Sequence, residues 1–390
     1  MQILYIDWAC FGKANVLDTL KALGHQVSCF SHPEYHNAKS ESFENDFDRF
    51  VKGKHFDLCF SFNYFPVVSE ACKKHDMIYV SVTYDSPYVF LYSLTILNKN
   101  NYIFTFDKQE YLTLRNGGIS NVYYITLPAN IAPPKRLEPH NPNQKRYTSD
   151  VSFVGSLYTE KHNLFERLNG ISDYTRGYLE GIMNAQLKIH GYNFLEEVLT
   201  PDILSDLDSI IPFEGIRSGA ETPQYLYANY FISRKLTAIE RQQTLSAVAS
   251  AFPLNIYTWK TKEHTIPNAS YMGPVDYYEE MPYVFANSKI NLNITLRSIK
   301  SGIPLRAMDI MGAGGFLLTN FQSDFLDYFV PGEDFVYYDS QEDLLNKIDY
   351  FLSHEKEREE ISKNGQERVR NEHNYFTFFE KIFDIISNES

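Results

Sequence analysis

Arg297, Lys300, Ser301, Gly302, Arg306 and Asp309 all fall within one short stretch, KINLNITLRSIKSGIPLRAMDIMGAGGFLLTN at 289–320. Two arginines, a lysine, a hydroxyl and a bare glycine amide are the groups that hold an anion. A phosphate suits them best where a helix begins beside them, because the unbonded N–H groups and the helix dipole then point at the same charge. Asp309 lies three residues past Arg306 on that helix. There it either accepts hydroxyl donors from a ligand or simply pairs with the arginine across one helix face.

These residues need a frame. Residues 289–293 alternate apolar and polar as a strand does, and 316–319 read as a second strand. Between them the spacing predicts a short helix with Pro304 in its first turn and Ser301 or Gly302 as its N-cap. Glycines 312, 314 and 315 stop the helix and turn the chain into the next strand. The unit has the length a parallel crossover needs, which puts Arg297 in a strand-to-helix loop at the carboxyl rim of a sheet.

The rest of the chain supports such a sheet. A length of 390 residues is too great for one ordinary core and implies two domains. Residues 1–135 repeat strand and amphipathic helix, with strands at 2–7, 26–30, 57–63, 78–83, 102–106 and 121–126. Helices are expected at 14–23, 45–52, 66–75, 88–97 and 108–116. A Pro-, Asn- and charge-rich linker at 129–149 precedes a second α/β domain over 150–373, interrupted by a helical insertion at about 172–252. A last, aromatic-rich helix at 374–390 is suited to packing back on the first domain. The fold class is therefore α/β, two Rossmann-like doubly wound domains facing a cleft.

Bulk composition narrows the partners. The net charge of −13 disfavours nucleic acid and anionic membranes, both of which need basic footprints. No apolar run approaches the ~20 residues of a membrane helix, and the first residues read as a strand rather than a signal peptide. The four cysteines, at 10, 29, 59 and 72, show neither CxxC nor zinc-site spacing. A cytoplasmic protein with reduced thiols and no integral membrane association is the expectation. There is no GxGxxG after the first strand, no Walker A motif, no GxSxG elbow and no HExxH. Asp46-Phe47-Asp48 has a DxD shape but sits in a helical, exposed-looking stretch. At the end of the fourth strand, Asp85 precedes Ser86 and Pro87. It either caps the following helix or serves as a base toward a bound hydroxyl.

Several runs carry a resemblance. These are Thr83-Tyr84-Asp85-Ser86-Pro87, FVGSLY with Lys161 at 153–161, SGIPLRAMDIMGAGGFLLTN at 301–320 and Val330-Pro331-Gly332-Glu333. Together they resemble retaining glycosyltransferases of the GT-B fold, and more narrowly the family of the spore-maturation protein CgeB. The resemblance implies a nucleotide-sugar donor, with UDP-glucose or UDP-N-acetylglucosamine as the commonest kind, and a protein, glycan or small-molecule acceptor. It implies a retaining transfer without metal or other cofactor. It also implies donor contacts from Gly155, Lys161, Arg297, Ser301, Gly302, Arg306 and Asp309. The loops that follow Tyr257 and surround Gly273 would hold the base. Asp85 and Arg297 are the catalytic candidates. Two departures stand out: Ser156 replaces the arginine of the wider group's VGR-x4-K pattern, and Ser301 replaces the first of two spaced glutamates. A nucleotide-sugar epimerase or hydrolase on the same scaffold, or a binding protein without turnover, fits the same residues.

Overall fold

The computed structural model describes residues 1–131, 137, 141–159, 164–213, 219, 221–259 and 266–389. The chain divides into two compact units. The first contains Met1–Pro128, a short stretch around Gly219 and the closing segment from Tyr375. The second contains Ala129–Phe213 and Gln224–Asn374.

The first unit has six strands: β1 Gln2–Ile6, β2 Gln26–Phe30, β3 Leu58–Phe62, β4 Ile78–Val82, β5 Asn101–Thr105 and β6 Val122–Tyr124. They form one sheet in the order β2-β1-β3-β4-β5-β6, with every pair parallel. All five residues of β3 are buried, as expected for a central strand covered on both faces. The helix Glu41–Val51 begins four residues before the expected 45, because the Ser40 hydroxyl accepts the Phe43 N–H and caps it there. Phe43, Phe47 and Val51, at i, i+4 and i+8, make its buried stripe. The helix expected at 88–97 is instead two 3-10 turns, Val89–Tyr92 and Leu94–Leu97. Ser93 separates them: its backbone is extended (ψ 143°) and its hydroxyl accepts the Thr95 N–H, which breaks any continuous ladder. The Ser86–Pro87 bond before them is cis. The closing helix Tyr375–Glu389 packs within this unit, Phe379 against Phe60 with centroids 5.3 Å apart and Phe383 against His25 at 5.2 Å.

The second unit carries β7 Ser149–Val154, β8 Leu254–Tyr257, β9 Ser270–Tyr271, β10 Ser288–Asn293, β11 Leu317–Asn320 and β12 Val336–Tyr338. Again all pairs are parallel, in the order β12-β11-β10-β7-β8-β9. Two clusters of apolar side chains contribute most of its core, one including Phe153, Ile290, Leu318 and Leu344, the other Val284, Met308, Phe325 and Phe335. Between β7 and β8 the chain is helical as expected, through Asp173–Gln186, Pro201–Ile210 and the long helix Ser233–Ala251. These helices bury their own cluster around Leu179, Ile203, Leu207 and Leu236.

Candidate functional site

Parallel strands deliver their loops to one rim, and β10 delivers the stretch that carries most of the candidate residues. The following helix runs Leu305–Gly312, and its N-cap is Pro304 (φ −69°, ψ 146°). The expectation of a cap at Ser301 or Gly302 is corrected by this. Pro304 has an extended ψ and stands just outside the helix, leaving Ser301 and Gly302 in the preceding loop. Both are buried, and the Ser301 carbonyl accepts the Asp324 N–H at 3.2 Å.

Arg297 does not face a ligand. It is 8% exposed, and its Nε and Nη2 donate to the two carboxylate oxygens of Glu240 at 2.7 Å each. Its Nη1 donates to the Ile189 carbonyl at 2.8 Å. A bidentate pair of this kind satisfies the guanidinium geometrically and cancels its charge. The guanidinium expected to be the catalytic and diphosphate contact thus has all three of its nitrogens engaged by protein groups. The Arg297 N–H donates to the Thr237 hydroxyl, and its carbonyl accepts from Asn193 at 2.6 Å. Lys300 reaches Glu196 at 3.4 Å. The helical insertion thus grips the 297–300 loop at several points.

Arg306 is different. It is partly buried, with Nη1 against the Met281 sulfur and the guanidinium 5.6 Å from the Phe285 ring centroid. Among the described residues no carboxylate lies within ion-pair distance of it. Burial lowers its pKa below the ordinary arginine value; Asp309 and Tyr277 oppose this, and the charge of Arg241 adds to it.

Asp309, one turn further along, is 5% exposed. Its Oδ1 accepts both the Asn130 N–H at 3.1 Å and the Tyr277 hydroxyl at 3.2 Å. Oδ2 has no hydrogen-bond donor among the described residues. Burial raises the carboxyl pKa to about 6, against the pull of Arg306 and of both donors. One oxygen anchors the side chain, and the anchoring donors come from two other parts of the chain. Gly312, closing this helix, is required by packing: a Cβ there would stand 3.0 Å from the Asn130 carbonyl oxygen.

The other expected donor contacts divide. Gly155 follows β7, and its N–H donates to the Tyr257 carbonyl at 3.1 Å. Tyr257 itself is buried, and its hydroxyl donates to the Arg146 carbonyl at 2.6 Å, with burial raising its pKa to about 12. Its ring is a core element, so only the loop beyond it can reach a ligand. Trp259, in that loop, is 75% exposed. Gly273 follows β9 with φ +80°, a conformation that favours glycine. Lys161 lies outside the described residues.

In the first unit Asp85 sits exposed just past β4. Asn63, buried and left-handed (φ 57°), donates its amide to Asp85 Oδ2 at 2.8 Å and accepts the Tyr84 N–H at 2.8 Å. Asp85 caps no helix: the nearest turn has Tyr88 as its N-cap, without a side-chain bond. Its neighbour Ser86 donates to Asp107, which caps the helix Lys108–Asn116.

Four residues of these arrangements were not singled out by sequence: Asn63, Glu240, Arg241 and Tyr277. The signal for two of them was present. Thr237, Arg241, Thr244, Leu245 and Val248 share the buried face of the helix Ser233–Ala251, so Glu240 and Arg241 are charges on an otherwise apolar stripe. Among the described residues no cluster of three His, Cys, Asp or Glu suits a metal. No helix among them is long and apolar enough to cross a membrane.

With this geometry in hand, the chain can be set against known proteins. Residues 234–384 match the family model described as glycosyl transferase-like. No curated protein matches the sequence. Among solved structures, sucrose-phosphate synthase from Thermosynechococcus elongatus is similar with a TM-score of 0.54 at 12% identity, both chains covered fully. HepE of Anabaena, solved with UDP-glucose, superposes with a TM-score of 0.55 at 11% identity, also over the whole of both chains. A glycosyltransferase from Rickettsia africae gives 0.54 at 12% identity, covering 98% of this chain and 97% of its own. The fold is GT-B. The glycosyl transferase-like match covers 151 of the 390 residues, within the second unit and the closing helix. The match spans β10, Arg306, Asp309 and the Glu240–Arg297 pair.

Proposed function

We propose that this protein transfers a sugar from a nucleoside-diphosphate donor to an acceptor hydroxyl. The observation that carries the reading is the pair formed by Arg306 and the open Oδ2 of Asp309 on one helix at the carboxyl rim of β10. An un-neutralised guanidinium beside a helix N-terminus suits a diphosphate, and a half-engaged carboxylate suits the vicinal hydroxyls of a ribose. Diphosphate is also the leaving group, so the same cation and helix dipole stabilise the charge that develops as the glycosidic bond breaks. Arg297 and Lys300 hold the loop through Glu240 and Glu196 instead of touching the donor. Arginine and helix dipole carry this load without a metal, so turnover survives EDTA. The loops after β8 and β9, with Trp259 and Gly273, take the base. Uracil is the base we favour, because HepE was solved with UDP-glucose over a fully matched chain. Retention of configuration is the outcome that the resemblance to the wider group of retaining GT-B enzymes implies, and Ser301, standing where the first glutamate would be, weakens it.

We assign acceptor handling to the first unit, through Asp85. Asn63 fixes this carboxylate while leaving it exposed, the arrangement a base needs. The test is release of nucleoside diphosphate from UDP-glucose and UDP-N-acetylglucosamine with mixed glycan, peptide and small-molecule acceptors. Asp85→Asn should reduce transfer about 10²–10⁴-fold while donor affinity by calorimetry stays as in the wild type. Full activity in that variant would remove Asp85 from the chemistry. Donor breakdown without any acceptor would instead favour the hydrolase reading.

A further inference from the structure

A pocket of about 630 Å³ lies within the second unit and shares no lining residue with the candidate site. Sites for small molecules run from about 300 to 1,000 Å³. Three segments build it. The helix Asp173–Gln186 and the turn after it supply Asn184, Lys188 and His190, and the long helix Ser233–Ala251 supplies Gln243. Asp339, just past β12, and Gln341, opening the helix Gln341–Ser353, complete the wall. Among the described residues none of these six side chains makes a hydrogen bond or ion pair with the protein. The helical insertion elsewhere pairs its charges, Glu240 with Arg297 and Glu196 with Lys300. His190 is the least exposed of the six. Its Nδ1 is enclosed without a partner, and so is the hydroxyl of Tyr338, whose ring meets it edge to face with centroids 6.5 Å apart. Burial and the charge of Arg297 lower the His190 pKa, so the ring is uncharged at neutral pH. Nε2 is then the ring's polar group for an occupant.

The chemistry of the wall selects the occupant. Lys188 and Asp339 cancel in charge, so an ion of either sign gains no net attraction. Leu187 is the one apolar side chain of the lining, which leaves little to hold an apolar ligand. The amides of Asn184, Gln243 and Gln341 each offer a donor pair and an acceptor, the carboxylate accepts, and the imidazole adds one more partner. Hydroxyl groups both donate and accept, so a rigid ring bearing several of them answers the whole set. We propose that this pocket is a second saccharide-binding site, separate from the transfer site, which holds a neutral sugar or a segment of glycan through Asn184, Gln243, Asp339 and Gln341, with His190 as the inner partner. Ile189, beside His190, accepts from Arg297 Nη1 at 2.8 Å, which ties this wall to the loop after β10. The proposal stands whichever nucleotide the transfer site takes.

The full chain is titrated by ligand-observed NMR with glucose, galactose, mannose, N-acetylglucosamine, maltotetraose and chitotetraose, each with and without saturating UDP. At least one of them should bind saturably, and UDP should not displace it. Asp339→Ala should then weaken that sugar about 10–100-fold, the range for a lost hydrogen bond to a charged group. Gln243→Ala should weaken it about 2–10-fold, the range for a neutral one. Both side chains are exposed, so neither substitution disturbs the core. Asp85→Asn, which alters the acceptor side of the transfer site, should bind the same sugar as the wild type does. Wild-type affinity in both pocket variants, or loss of binding in Asp85→Asn, would put the sugar elsewhere and overturn the proposal. Binding by none of the sugars overturns it as well, and saturable binding of glycine or inorganic phosphate in their place would assign the pocket to an ion. Failure of UDP to bind counts against the nucleotide-sugar reading alone.

Discussion

Arg297 and Arg306 lie nine positions apart on the same strand–loop–helix segment, and their sequence contexts promise the same thing. The structure gives them opposite fates. Arg297 is clamped by both oxygens of Glu240, contributed by a helix 57 residues upstream. Arg306 keeps its charge, with a thioether and an aromatic ring as its nearest partners. A cation is available for a ligand only where the fold has not already neutralised it. Local spacing cannot report this, because the neutralising residue belongs to a distant part of the chain.

The largest effect should come from breaking the neutralised pair. Glu240→Gln strands a buried guanidinium, at a cost of about 3–5 kcal/mol in urea unfolding. Arg297→Met combined with Glu240→Leu removes both charges together and should cost much less, since a buried ion pair is weak evidence for net stability. If the double variant still binds nucleoside diphosphate, Arg297 is confirmed as scaffolding. If it folds and binds nothing, Arg297 belongs with the ligand and the contrast with Arg306 fails.

Arg306→Gln should show the reverse pattern. Stability should stay within about 0.5 kcal/mol of wild type or rise, because no ion pair to this guanidinium is broken, while the Asp309 carboxyl loses the pull that favours its ionised form. Affinity for nucleoside diphosphate should fall by about 1.5–3 kcal/mol, the worth of a hydrogen bond to a charged group. A large loss of stability with affinity intact would exchange the roles of the two arginines.

Much of the frame was legible because its signals are local. The β2 strand and the helices Pro66–Lys74 and Lys108–Asn116 lie within a residue of where periodicity and caps place them. The misread elements were those where a side chain competes with the backbone, as Ser93 does, or where a proline stands outside its helix instead of inside, as Pro304 does. The site was legible in its residue types and less so in its wiring. Asp309 could be picked out by its place three residues past Arg306 on the expected helix. Its tie to the Asn130 N–H spans 179 residues and is invisible to any local pattern. Arg241 was hidden for a similar reason: helical spacing puts it on a buried face, while two carbonyls it reaches lie just past the ends of separate strands, β7 and β10.

The smallest effect, and the one that reports most directly on Asp309, is the response to pH. Its carboxyl titrates near about 6 when folded, above the ordinary carboxylate value. Between the unfolded and folded values the native state holds a proton that the unfolded chain has lost. Without ligand, then, this group's contribution to stability declines as pH rises through that window and is flat beyond it. Ligand hydroxyls bond more strongly to the ionised form, so affinity should run the other way, rising with pH until about 6 and then levelling. UDP-glucose is the right probe, because each of its phosphates carries one ester and one anhydride link and keeps only a strongly acidic hydroxyl, so neither titrates in this range. Its affinity should weaken by about tenfold, ~1.4 kcal/mol, between pH 7.5 and pH 5. In Asp309→Asn the affinity should be lower and the profile flat. A variant that keeps the wild-type slope would show that another group titrates, and would leave Asp309 as an anchor for Asn130 and Tyr277 alone.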